Sequence, residues 1–148
     1  MAMNGPIVLV DDDANDIEII ASALKDLAVP NEVRAFQQTS EAMNFLLTTQ
    51  EQPFIILCDI RMSEMNGLAF RKGIIDNDYL RKKSIPFVFF TAAVSMDIVN
   101  EAFLMNVQGF IQKARSYGGV KEQLSAVMTY WRHCLHPNKA IERMQEPG

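Results

Sequence analysis

Three short apolar runs that each end in polar groups constrain this chain more than any other feature. They are Ile7 to Val10, followed by Asp11, Asp12 and Asp13; Phe54 to Cys58, followed by Asp59 and then Gly67; and Phe87 to Phe90, followed by Thr91. Runs this short with no polar alternation suit strands buried on both faces of a parallel sheet. Open sheets of that kind bind their ligands beyond the carboxyl ends of the strands. Asp11, Asp59 and Thr91 are therefore expected to meet along one edge.

The segments between the runs carry the helical period. Ile17, Ile20, Ala21, Leu24 and Leu27 recur at three- and four-residue spacing and end at Val29-Pro30, which predicts an amphipathic helix. A second strand is expected around Glu32 to Phe36, and Ser40 is a candidate cap for a helix ending before Pro53. Leu68 to about Lys83 reads as one long third helix. Pro86 opens the fourth strand, and Ser95 can cap a fourth helix with Ile98, Ala102 and Met105 on one face. A fifth strand at about Val107 to Gln112 ends at Lys113, and Val120 to about His136 forms the last helix. Five strands alternating with five helices predict an α/β fold, a doubly wound (βα)5 parallel sheet covered on both faces. Right-handed crossovers put Asp11, Asp59, Thr91 and Lys113 on the same edge.

Composition narrows the function. The 148 residues fit one domain, and such a domain buries roughly 68–70% of its unfolded surface. Residues 1–136 are read as that domain and 137–148 as a short tail, too poor in apolar residues to form another. With 14 basic against 18 acidic residues and a net charge of -4, a nucleic-acid surface is not expected. Cys58 and Cys134 suggest neither a disulfide framework nor a zinc site. No apolar run approaches the roughly 18 residues of a membrane span, so a cytoplasmic protein is expected, with no membrane contact and no direct DNA binding.

Several carboxylates at one edge repel one another unless a cation holds them, and an oxygen-only ligand set suits Mg²⁺ or Mn²⁺. Beside such an ion Asp59 can act as a nucleophile on phosphorus and form an aspartyl phosphate. Thr91 and Lys113 can then donate to the phosphoryl oxygens.

From about Pro6 to His136 the chain resembles the receiver domain of two-component response regulators, the class that includes the chemotaxis response regulator. The likeness rests on the acidic pair Asp11-Asp12 after the first strand, Asp59 after the third, Thr91 followed by Ala92 after the fourth, and Lys113 after the fifth. It implies a flavodoxin-like strand order, 2-1-3-4-5, and a phosphoacceptor switch on Asp59 with Mg²⁺ as the cofactor. By the same resemblance Asp12 would bind the ion directly, Asp11 largely through water, and Arg61 through its backbone carbonyl. Thr91 and Phe110 would be the switch residues. A histidine kinase or histidine phosphotransfer protein would supply the phosphoryl group, and a downstream protein would read it by contact. The domain would catalyse only its own phosphorylation and dephosphorylation. Two positions depart from the family pattern: Ser63 and Ala114 stand where proline is usual. A cis bond before a non-proline costs about 2.5–4 kcal/mol, so a trans peptide or local strain is expected at Lys113-Ala114.

Rival readings are weaker. Asp11, Asp13 and Asn15 open like an EF-hand loop, but Asp16 and Ser22 stand where its glycine and glutamate belong. A haloacid-dehalogenase-type phosphatase would use the acids after the first strand and leave Asp59 without a role. A receiver-like scaffold that no longer cycles phosphate, and a small Mg²⁺-dependent phosphohydrolase, complete the alternatives. His133 and His136 are expected at the surface or the helix end rather than as metal ligands. Tyr130 and Trp131 are candidates for a homodimer or kinase-docking face as well as for plain packing.

Overall fold

The computed structural model describes residues 2–62, 65–92 and 94–136. The strands are β1 (Ile7–Val10), β2 (Val33–Phe36), β3 (Ile55–Cys58), β4 (Phe87–Thr91) and β5 (Gly109–Gln112). All pair in parallel, in the order β2-β1-β3-β4-β5. Six helices connect and cover them: α1 (Ala14–Asp26), α2 (Thr39–Thr48), α3 (Gly67–Asp76), α4 (Asp78–Lys83), α5 (Met96–Leu104) and α6 (Tyr117–His133). A single 3₁₀ turn, Ala2–Asn4, precedes β1.

Alternation along the strands builds two cores, because successive side chains leave a strand on opposite faces. Val8, Val10, Ile56, Cys58, Phe87 and Phe89 face one side, where α2, α3, α4 and α5 supply Leu46, Phe70, Leu80 and Ala102. Ile7, Leu9, Ile55, Leu57, Val88 and Phe90 face the other, against Ile20 and Leu24 of α1 and Leu124 and Met128 of α6. The continuous apolar character of β1, β3 and β4 thus comes from burial on both faces.

Several expected boundaries need correction. The single helix expected over 68–83 is two, so six helices rather than five occur among the described residues. Asn77 is extended (φ -91°, ψ 116°) and its side chain accepts from the Leu80 amide at 3.0 Å. It ends α3 and caps α4, because a short amide side chain competes with helix continuation. Ser40 is not the cap of α2: the helix starts at Thr39 behind Gln38, which makes no side-chain capping bond. The last helix begins at Tyr117, before the expected Val120, because Ser116 accepts from the Gly119 amide at 3.0 Å and outweighs the poor propensity of Gly118 and Gly119. Ser116→Ala is expected to cost about 1 kcal/mol, read from the urea midpoint.

His133 lies exposed in the last turn of α6, as expected. His136 does not lie at the surface. It is 5% exposed, shares a 2.9 Å hydrogen bond with the Trp131 carbonyl and stacks on Phe54 at 5.2 Å. Trp131 itself packs partly into the α1/α6 core, whereas Tyr130 is exposed. Residues 137–148 and Ser63 lie outside the described residues.

Candidate phosphoacceptor and metal site

The expected edge forms at the carboxyl ends of β1, β3, β4 and β5. Asp11 directly follows β1 and is 1% exposed. One of its oxygens accepts from the Asp13 amide at 3.0 Å and the other from Lys113 Nζ at 2.7 Å. Asp59 directly follows β3, anchored by its amide to the Val10 carbonyl. Its Oδ1 accepts from the Ile60 amide at 2.8 Å and from the Thr91 hydroxyl. Its Oδ2 stands 3.8 Å from Lys113 Nζ and accepts no hydrogen bond among the described residues. Lys113 follows β5, and its amide donates to the Thr91 carbonyl. Asp11, Asp59, Thr91 and Lys113 are therefore brought together.

Asp16 joins them, and sequence reasoning missed it. Its carboxylate accepts from Lys113 Nζ at 3.0 Å. Oxygens of Asp11, Asp16 and Asp59 lie within 4.8 Å of one another. The available signal was its place in the first turn of the helix entered from Asp13, where a side chain leans back toward the strand edge. Asp13 caps that helix, accepting from the Asn15 and Asp16 amides, which turns the first turn of α1 toward the site. Asp12 is half-buried and not part of the trio, and its carbonyl accepts from Gln37 at 3.3 Å. Arg61 is exposed and, with Asp16, Asp59, Ala92, Val94 and Lys113, lines an open cleft of about 280 Å³ over Asp59.

Electrostatics follow from three carboxylates around one amine. Burial pushes the Asp11 carboxyl above its usual range, against the hydrogen bonds from Lys113 and the Asp13 amide. Burial of Lys113 works downward, but bonds to Asp11 and Asp16 and the charges of Asp11 and Asp59 outweigh it and hold the amine up. Lys113 is thus a fixed cation at neutral pH. The surplus carboxylates leave a negative, oxygen-only site, and this donor set suits a hard divalent cation.

The departures at the two usual prolines resolve unequally. No cis peptide bond occurs among the described residues. The Ala114 amide donates to Gln123 Oε1 at 3.0 Å, and Gln123 Nε2 donates to the Gln112 carbonyl at 2.7 Å. One α6 side chain thus braces the turn that carries Lys113. Phe110, on β5, is half-buried against the core, 5.7 Å from the Phe89 ring.

Known proteins share this fold. Residues 7–124 match the family model described as the response regulator receiver domain. Relatives include the DNA-binding transcriptional regulator NtrC of Proteus hauseri, 26% identical over 95% of this chain, and the chemotaxis protein CheY-3 of Vibrio cholerae, 26% identical over 84% of this chain and 92% of its own length. The chain spans only 28% of the length of NtrC, but 82% of FilR2, a probable methanogenesis regulatory protein of Methanothrix harundinacea that is 23% identical over 84% of this chain. The fold superposes on the phosphorylated cyanobacterial phytochrome response regulator RcpA with a TM-score of 0.81 and 24% identity, covering 90% of this chain and 98% of that one. It also matches the Mn²⁺-bound response regulator Rcp1, with a TM-score of 0.77 and 22% identity over 88% and 97% of the two chains. No helix among the described residues is long and apolar enough to cross a membrane. With the acid, hydroxyl and amine set converging at the sheet edge and the family match spanning most of the fold, this chain belongs to the receiver domains of two-component response regulators.

Proposed function

We propose that Asp59 is the phosphoacceptor of this receiver domain, and that Mg²⁺ held by Asp11, Asp12, Asp59 and the Arg61 carbonyl is its cofactor. The observation that carries this reading is the convergence of Lys113 and Thr91 on the Asp59 carboxylate. The acidic trio fits a divalent cation, which when bound would offset the charge of an incoming phosphoryl group. Asp16 belongs beside the ligand set on the same ground.

The chain's own residues supply the rest. Ile60 and Thr91 hold Oδ1 of Asp59, which leaves Oδ2 directed at the substrate phosphorus. Oδ2 forms the new O–P bond as the P–N bond of a phosphohistidine breaks, and the imidazole leaves with the electron pair and takes up a proton. Lys113, already cationic and 3.8 Å away, donates to a transferred phosphoryl oxygen. Transfers of this kind rest mainly on positioning and electrostatic stabilisation. The phosphoryl adds about -1.5 to -2 charges and three acceptors, so the Thr91 hydroxyl turns from the Asp59 carboxylate to the phosphoryl. Phe110 then rotates into the space that Thr91 vacates, and the surface of α5, β5 and α6 changes. The same site hydrolyses its own phosphoaspartate. The phosphoryl source is a histidine kinase or phosphotransfer protein in the cytoplasm, and the output passes to another protein by contact.

Incubation with Mg²⁺ and a small acyl phosphate, followed by intact mass measurement, tests the reading. A one-phosphoryl adduct is expected in the parent protein and none in Asp59→Ala or after chelation of the metal. Absence of any adduct in the parent protein would instead favour a scaffold, and steady turnover of other phosphoesters a hydrolase.

A further inference from the structure

Arg71 of α3 occupies a core position between Phe70 and Ile74 and is only 7% exposed. Its Nε donates to the Met105 carbonyl at 3.0 Å and its Nη2 to the Asn106 carbonyl at 2.9 Å. The guanidinium carbon stands 5.0 Å over the Phe87 ring. Burial lowers its pKa to about 10, with no neighbouring carboxylate to oppose the shift. Arg71 is therefore a buried cation at neutral pH with no anionic partner among the described residues. Buried charges are ordinarily paired. Of its five N–H donors, the two carbonyls engage two.

Arg71 lines a cavity of about 190 Å³ together with Arg81, Ser84, Asn106 and Gln108, over apolar walls that include Leu80. This cavity lies where chain enters β4 and β5, at the opposite edge of the sheet from Asp59. Arg71 and Arg81 are the charged residues lining it, although the protein is acidic overall. The last turn of α4 is Arg81-Lys82-Lys83, and one carboxylate, Asp78, is shared by Arg81 and Lys82. The Asn106 backbone is left-handed (φ 57°), in the turn whose carbonyls Arg71 grips. The N–H groups of Arg71 that the two carbonyls do not engage are the donors the cavity offers. Arg81 stands beside them already paired with Asp78, Ser84 Oγ donates to the Arg81 carbonyl and Gln108 Nε2 to the Asn106 carbonyl. A guanidinium with free N–H groups suits a tetrahedral oxyanion. The volume is well below the roughly 300 Å³ at which drug-sized pockets begin.

We propose that this cavity is a binding site for a small phosphate, as the free ion or as a compact phosphate monoester, with Arg71 as its buried anchor and Arg81 at its mouth. The site is separate from the phosphoryl chemistry at Asp59 and does not depend on it. Titration of the metal-free protein with inorganic phosphate and, in a second arm, glycerol phosphate, followed by amide NMR, tests it. Saturable shifts are expected at Ser84, Ile85, Asn106 and Gln108. Affinity is expected to fall by about tenfold or more in Arg71→Leu, and by a smaller factor in Arg81→Gln, whose exposed side chain leaves the core intact if the first variant fails to fold. Tighter binding of the ester would assign the cavity to a phosphorylated metabolite, and equal binding to the free ion. Shifts confined to the surroundings of Thr91 and Lys113, no saturation at all, or titrations unchanged in both variants would overturn the proposal.

Discussion

Lys113→Met is expected to destabilise the protein by about 3–5 kcal/mol, the usual cost of removing one partner from a buried ion pair. The Lys113 side chain is 10% exposed and that of Asp11 1%, so at Asp11 water is a poor replacement for the lost ammonium. Asp11, Asp16 and Asp59 would be left facing one another with no cation among them. Urea unfolding at neutral pH without divalent metal measures the loss. A change below about 1 kcal/mol would mean that the pair behaves like an exposed one. The pH dependence has a definite sign. In the parent protein the Lys113 pKa is raised, so its contribution is complete below the unfolded-state lysine pKa and is lost as pH rises through the folded value. In the variant the Asp11 carboxyl, already raised by burial, loses its opposing cation and rises further. The folded state then binds more protons than the unfolded state, and stability falls with rising pH. The deficit of Lys113→Met should therefore shrink on acidification from neutral pH toward the ordinary carboxylate range.

Gly67→Ala is the second large effect. Gly67 opens α3 and closes the loop that follows Asp59, its amide donating to the Ile60 carbonyl at 2.8 Å. A Cβ at Gly67 would be driven into the Asp59 carbonyl oxygen and would sit 3.0 Å from both Ile60 Cα and Phe89 Cε1. Two of these obstacles are backbone atoms, so no rotamer change relieves the clash. Overpacking of this kind costs about 1–3 kcal/mol. Because the displaced group is Asp59, the phosphorylation rate should fall by more than stability alone accounts for. Comparing urea midpoints with the rate of adduct formation from the acyl phosphate separates the two. Wild-type phosphorylation in a folded Gly67→Ala protein would show that the loop moves without disturbing the carboxylate.

Why each site residue sits where it does has different origins. Asp11, Asp59 and Thr91 were legible because each ends an apolar run, and a buried strand leaves its first polar residue at the sheet edge; Lys113 was legible as the residue that follows the fifth strand. The family likeness added roles to those positions and the strand order, which periodicity does not contain. Asp16 was not legible, because an acid in a first helical turn reads as a favourable charge at a helix N-terminus. Only the angle at which α1 leaves β1 brings its carboxylate to 3.0 Å from Lys113. Asn77 likewise interrupts a stretch whose apolar spacing continues across it, because its side chain offers a local bond that outcompetes one helical turn.

The amino-acid order by itself determined the doubly wound architecture and the edge at which chemistry gathers. Strand burial and helix period are local properties, repeated along the chain and mutually consistent. Only the tertiary structure decided how Lys113 divides itself among three carboxylates, that Gln123 braces Ala114, and that Arg71 is a buried cation instead of a surface one. Each of these joins segments far apart in sequence, and their distances are set by how helices pack on the sheet, which no local pattern encodes.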